Sequence, residues 1–140
     1  MSAFPIASSE SLNVAQGRRL KFFFAGDSLL HEPEHDWQVN IYLGHEEEML
    51  KRVRQASEEN DVVIVAMHWG LEYTHEVHEE QRKLARRLAK AGATIIVGSH
   101  SHVVAPFEWI DGVPVFYSMG NLISSQIGGL FSVSSSIFCT

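Results

Sequence analysis

Five side chains in three short segments of this sequence have the types and spacing to do chemistry together. His68 and Glu72 stand in His68-Trp69-Gly70-Leu71-Glu72-Tyr73, His100 and His102 in Gly98-Ser99-His100-Ser101-His102, and Asn121 closes Ser118-Met119-Gly120-Asn121. Imidazole is the commonest nitrogen ligand for Zn, Mn, Fe and related divalent ions. His100 and His102 are two residues apart, and an extended backbone would put both rings on one face. Three histidines can close a mononuclear site with water in the fourth position. With added carboxylates they can build a two-metal site for phosphoryl chemistry. Gly70, Gly98 and Gly120 remove side chains where the backbone must turn sharply or approach a ligand closely.

The elements that must position these groups are legible from patterning. Leu20–Ala25 is a short apolar run ended by Gly26-Asp27 and reads as a strand. Residues 1–19 are polar with a turn signal at Gln16-Gly17. Residues 26–44 read as a loop with a short strand at Gln38–Tyr42. Met49, Leu50, Val53 and Ala56 recur at helical spacing and predict a helix over 46–59, with acidic residues in its first turn to suit the dipole. Val62–Met67 is a continuous, mostly β-branched run, the mark of a strand buried on both faces. Leu84, Ala85, Leu88 and Ala91 form the inner stripe of a helix over 79–91, with Gly92 at the position past its end. Thr94–Val97 is a further buried strand, and Phe107–Ile110 and Val113–Tyr117 flank the hairpin signal Asp111-Gly112.

Alternating strands and helices predict an α/β fold: a mostly parallel layered sheet with flanking helices and a C-terminal hairpin. The hairpin makes Val113–Tyr117 run parallel to Thr94–Val97. Each chemical segment then follows a strand's carboxyl end, so all three fall on the sheet edge where open α/β folds bind ligands.

Each of these residues also has a plain structural role to weigh. A single strand-end histidine is more often hydrogen-bonded than metal-bound, and Gly-Ser-His-Ser-His alone is a weak signal. Their joint placement at one edge is what favours a metal site. His75 and His78 flank Glu76 in a polar loop, and His31, His35 and His45 lie in a charged one; solvated surface is expected for all five. Trp69 is expected to pack beneath its loop, Asn121 has the alternative of turning the chain after Gly120, and Cys139 is expected to be inert.

Composition closes off other classes. The chain has 140 residues, 45% hydrophobic and 20% charged, which are ordinary values for one globular domain. Net charge is −6 with no basic stripe, so nucleic acid is excluded as the expected partner. One cysteine rules out an internal disulfide and a cysteine zinc cluster. No apolar run reaches membrane-spanning length and the N-terminus is not signal-like, so the chain as written is expected to be soluble and cytoplasmic.

The three segments, in this order and spacing, resemble the bacterial capsule synthesis protein CapA family, over about residues 36–125. The matching stretches run from Asp61 to Tyr73, through Ile95-Ile96-Val97-Gly98-Ser99-His100-Ser101-His102, to Tyr117-Ser118-Met119-Gly120-Asn121. The resemblance implies a metallophosphoesterase-like fold, a role in capsule or poly-γ-glutamate biosynthesis and a divalent metal cofactor (Mn, Zn or Fe). By position it implies that His68, His100 and His102 are metal ligands, that Glu72 could orient water or substrate, and that Asn121 shapes the site.

Ser101 stands where that family usually has Pro, and Leu122 where it often has Phe. The family also supplies an Asn-His-x-x-Asp motif, and no Asn-His pair occurs here. Gly26-Asp27-Ser28-Leu29-Leu30-His31 imitates the family's first motif, but only 41 positions separate Asp27 from His68 (68 − 27) where the family places well over a hundred. Leu20–Ala25 is therefore read as the later strand that precedes the Trp-Gly motif, and Asp27 is left out of the ligand set. The chain is expected to be a single partial domain, with 1–19 and 126–140 weakly ordered. Its expected partners are an upstream half-domain or other capsule-synthesis proteins, and full-length relatives are often membrane-anchored or at the cell surface. An exposed sheet edge and an uncovered apolar face would promote self-association. The alternative function is a catalytically inactive domain that acts in binding or assembly only.

Overall fold

A computed structural model of the chain describes residues 12–14, 18–26 and 44–121. Asp27, His31, His35, the strand expected at Gln38–Tyr42, Cys139 and residues 126–140 lie outside the described residues. Six strands and two helices follow in the order β1 (Leu12–Val14), β2 (Arg18–Gly26), α1 (Glu46–Glu59), β3 (Val62–His68), α2 (Glu79–Lys90), β4 (Ile95–Ser99), β5 (Phe107–Ile110) and β6 (Val113–Phe116). They form one sheet in the spatial order β1-β2-β3-β4-β6-β5. The four inner strands β2, β3, β4 and β6 are parallel, and the edge strands β1 and β5 are antiparallel to their neighbours. This is the layered α/β architecture that the patterning predicts.

Register explains where the core sits. Along β3 burial alternates strictly: Val63, Val65 and Met67 are buried while Val62, Ile64, Ala66 and His68 are not. The continuous apolar run predicts a strand covered on both faces; in the structure the face of Val63, Val65 and Met67 is buried and that of Val62, Ile64, Ala66 and His68 is half-buried. Both helices lie on the face of Val63, Val65, Met67 and Ile96, where Met49, Leu50 and Val53 of α1 and Leu84, Ala85 and Leu88 of α2 complete the core. Arg87 of α2 donates to Glu46 and Glu47 of α1 and ties the two helices together. The other face carries Phe22, Ile64 and Ile95 in one row across three strands, with Phe107 and Trp109 exposed on β5.

Two turns hold this layer in shape. Gly92 takes φ 103° just past α2, and the amide of Ala93 donates to the carbonyl of Leu88 at 3.1 Å. That conformation is left-handed and suits a residue without Cβ. At the β5–β6 hairpin, Asp111 (φ 51°) and Gly112 (φ 82°) are both left-handed, which marks the tight turn that the Asp-Gly pair signals. Strand β1 falls in the segment that reads as polar; its register places Leu12 opposite Leu20.

Candidate functional site

Parallel strands deliver their last residues to one edge. His68 ends β3, where it pairs with Gly26 of β2 and Ser99 of β4. The alternation that buries Met67 puts His68 on the face opposite the helices. Beyond β4 the chain is not extended, contrary to the spacing argument for His100 and His102. His100 has φ 106° and His102 φ 61°, with Ser101 buried between them. Left-handed backbone is costly for residues with a Cβ, and its occurrence at two histidines of one loop marks a locally imposed geometry.

That loop still brings the three rings together. The centroids of His68 and His100 are 4.4 Å apart, and those of His100 and His102 6.4 Å. His102 is held from several sides. Its Nδ1–H donates to the side-chain oxygen of Asn121 at 3.0 Å, because a carboxamide oxygen can only accept. Tyr73 stacks on the ring at 5.5 Å between centroids and an interplanar angle of 28°. Glu72 lies with Oε1 3.6 Å from Nε2. Asn121 therefore bonds into the cluster and does more than turn the chain after Gly120. Tyr73 is itself fixed by its amide, which donates to the carbonyl of Ser101 at 2.7 Å.

Beneath the cluster lies a buried clamp. Trp69, one residue after His68, faces the helices and is 1% exposed. Its indole N–H donates to the carbonyl of Tyr117 at 3.0 Å, and the two rings stack at 5.7 Å. Gly98 sits between them: a Cβ there would fall 2.0 Å from the Tyr117 oxygen and 2.5 Å from the indole nitrogen. Gly98 thus serves a close approach between protein groups, where the sequence suggests a sharp turn or a ligand. The packing role expected for Trp69 holds, with the added hydrogen bond.

The clamp continues into a network that the motifs do not reveal. The Tyr117 hydroxyl donates to Glu108, Arg82 lies 3.7 Å from the same carboxylate, and the Arg82 guanidinium stands 5.6 Å over the Tyr117 ring. One signal was available. Glu108 interrupts an apolar strand on the side that faces α2, and a carboxylate there needs a partner. Burial first, and then the bond to Glu108, push the Tyr117 phenol well above its ordinary value. The folded pKa is raised, so this stabilisation is complete below the unfolded value of about 10 and is lost as pH rises above it. Wild type should lose up to about 1.4 kcal/mol per pH unit more than Tyr117→Phe above that point. Urea midpoints of both proteins at pH 8 and pH 11 measure this, and parallel losses would disprove it.

The other histidines among the described residues lie at the surface. His45, His75 and His78 are exposed, although His75 donates from Nδ1 to the carbonyl of Val104 at 2.7 Å and His78 opens α2. Gln81 accepts from the His78 amide at 3.0 Å. A separate cavity of about 610 Å³ lies between the two helices under Gly70 and Leu71, and is bounded by Glu46, Lys83 and Arg87. None of His68, His100 and His102 lines it.

In donor type the cluster fits a divalent transition ion: the imidazoles are of the preferred class, and the Asn121 bond leaves the Nε2 lone pair of neutral His102 available. The spatial arrangement is looser. Among the described residues no three His, Cys, Asp or Glu side chains are grouped to hold an ion. His68 and His100 form the close pair, and His102 stands one ring further out.

Comparison with known proteins supplies the family. The chain is 45% identical over 74 residues to the PGA biosynthesis protein CapA of Bacillus subtilis (strain 168), covering 53% of this chain and 20% of that protein. It is 38% identical over 82 residues to the capsule biosynthesis protein CapA of Bacillus anthracis, covering 56% and 20%. A probable polyglutamine synthesis accessory protein of Mycobacterium tuberculosis (strain CDC 1551 / Oshkosh) is 32% identical over 68 residues, covering 49% and 18%. The matched region thus spans about a fifth of each relative's length. The family model described as bacterial capsule synthesis protein PGA_cap matches residues 15–126, which takes in β2 to β6 and all five site residues, and the chain belongs to that family.

Proposed function

We propose that this chain serves capsule or poly-γ-glutamate biosynthesis and carries a metal-dependent, hydrolase-like site of metallophosphoesterase type, with His68, His100 and His102 as ligands of a Zn, Mn or Fe ion. The observation that carries this reading is the meeting of the three imidazoles, from the ends of β3 and β4, at one sheet edge. The names of the Bacillus and Mycobacterium relatives support the biological setting, and "accessory protein" supports association with synthesis machinery or an upstream half-domain. Among the described residues no helix is long and apolar enough to cross a membrane.

A bound divalent ion supplies Lewis-acid polarisation and an activated water. The chain's own groups have other tasks. Asn121 fixes the tautomer of His102, Tyr73 fixes its ring plane, and Glu72 offers a carboxylate at the rim. Turnover by this chain alone should be weak, because hydrolysis of this type needs a bridging carboxylate and a positioned acid as well as imidazoles. A second reading, an inactive domain that acts in binding or assembly, is favoured by the looseness of the ligand cluster among the described residues.

Metal analysis of the purified chain, joined to an aryl phosphate assay, separates the two. The expected result is at most one ion per chain and turnover near the uncatalysed background. No bound ion would leave the assembly reading. Robust turnover abolished by His68→Ala would show a complete site, with Asp27 or another loop carboxylate supplying the missing donor.

A further inference from the structure

We propose that the helix-free face of the sheet pairs this chain with a second copy of itself, the two sheets stacking face to face; this stands apart from the metal reading. Both helices pack on the side of Val63, Val65 and Met67. On the opposite side one apolar row crosses five strands, from Phe22 through Ile64, Ile95 and Pro114 to Trp109. A second row runs beside it from Ala66 to Phe107. Trp109 and Phe107 belong to this side because Glu108, between them, reaches Arg82 and Tyr117 on the helix side. Neither row contains a charged residue. Trp109 is 65% exposed, Phe107 46% and Phe22 45%.

Charge chooses the occupant. Each copy carries a net charge of −6, so two copies repel where their charged surfaces meet. The ionised residues of α1 and α2 lie across the sheet from these rows, so contact here brings no like charges together and strips no ion of water. A partner that binds through charge gains nothing on such a face, whereas an identical uncharged face matches it. Area agrees. At about 150–250 Å² for a whole aromatic side chain, the three exposed aromatics alone leave roughly 300 Å² accessible. With the half-buried members of both rows, two copies together bury on the order of 1,000 Å², the lower bound for a specific interface. The contact is isologous, because each copy presents the same patch, and it therefore closes at two. Stacked sheets with helices outside form a standard layered packing, and exposed tryptophan is the residue type that most often anchors an interface.

The test is analytical ultracentrifugation of the full chain over a wide range of concentration. The mass should rise from 15.7 kDa toward twice that value and stop there. Trp109→Lys and Phe22→Lys, at opposite ends of the row, should each weaken the pair by about tenfold or more, and Trp109→Ala should weaken it without adding a charge. All three replace exposed side chains, so the far-UV signal of dilute protein should match wild type. Neither Trp109 nor Phe22 belongs to the histidine cluster, so Zn²⁺ uptake should be unchanged. A wild type that stays at 15.7 kDa throughout overturns the inference, and a lowered melting temperature in Phe22→Lys would then show that another part of the same chain covers the face. If Trp109→Lys disrupts the pair and Phe22→Lys does not, association runs through the edge of β5 and the face-to-face arrangement fails. A mass that keeps rising past two copies refutes the closed pair.

Discussion

Gly98→Ala is expected to destabilise the protein by about 3 kcal/mol or more, at the upper end of overpacking effects. The added methyl would sit 2.0 Å from the Tyr117 carbonyl oxygen and 2.6 Å from its carbon, and both are backbone of the chain leaving β6. It would also sit 2.5 Å from the indole nitrogen of Trp69. No flexible side chain can yield there. Relief requires β4 to move away from β6 and Trp69 to give way as well, and a displaced indole orphans a buried carbonyl at a further cost of about 1–3 kcal/mol. Gly112→Ala is the comparison, because a Cβ at Gly112 meets nothing within 4 Å and carries only the left-handed backbone cost of about 1–2 kcal/mol. Urea unfolding of both variants measures the difference, and equal losses would refute the clamp.

The second large effect is on ion binding. His68→Ala and His100→Ala should each lower Zn²⁺ affinity about a hundredfold or more, because each removes one donor of the closest imidazole pair, with centroids 4.4 Å apart. His102→Ala, measured with the others by calorimetric titration, should lower it to a similar extent if all three rings serve one ion. His100→Gly offers a sharper form of the test. At φ 106° a histidine is strained and a glycine is not. The gain from relieved strain is partly offset by the greater freedom of glycine in the unfolded chain. His100→Gly should therefore weaken ion binding as far as His100→Ala does and yet hold wild-type stability or gain up to about 1 kcal/mol in the absence of metal. A variant that loses both stability and ion would show that His100 serves the fold and not the site.

The fold was legible where side-chain period and chain period agree. Met49, Leu50, Val53 and Ala56 mark α1, and the run Val62–Met67 marks β3, within a residue of their observed limits. Asp111-Gly112 marks the hairpin because only a tight left-handed turn uses that pair so readily. What the sequence could not show was set by distant partners. β1 has three residues, too few for a period, and exists through its pairing with β2. The apolar run in β3 carries no sign of which face the helices choose, so one-sided burial was hidden in it. In the site, His68, His100, His102, Glu72 and Asn121 were legible as residue types at strand ends. The stacking of Tyr73 and the bond from His102 to Asn121 depend on loop conformations that no local pattern encodes, and the partners of Glu108, Tyr117 and Arg82 depend on how α2 lies across β5 and β6.

Chain direction in a sheet is a matter of parity, and the β5–β6 hairpin sets it here. The chain leaves β4 at the edge that holds the histidines, reverses into β5, and reverses again at Asp111-Gly112 to climb β6 beside β4. Two reversals return it to the edge it left; one would strand it at the opposite edge. Asn121 meets His102 for that reason, although the turn that decides it lies at the far end of the strands. The two left-handed residues of that turn therefore act as an address: a loop that failed to reverse there would send every later residue to the wrong side of the molecule, with each side chain of the site still intact.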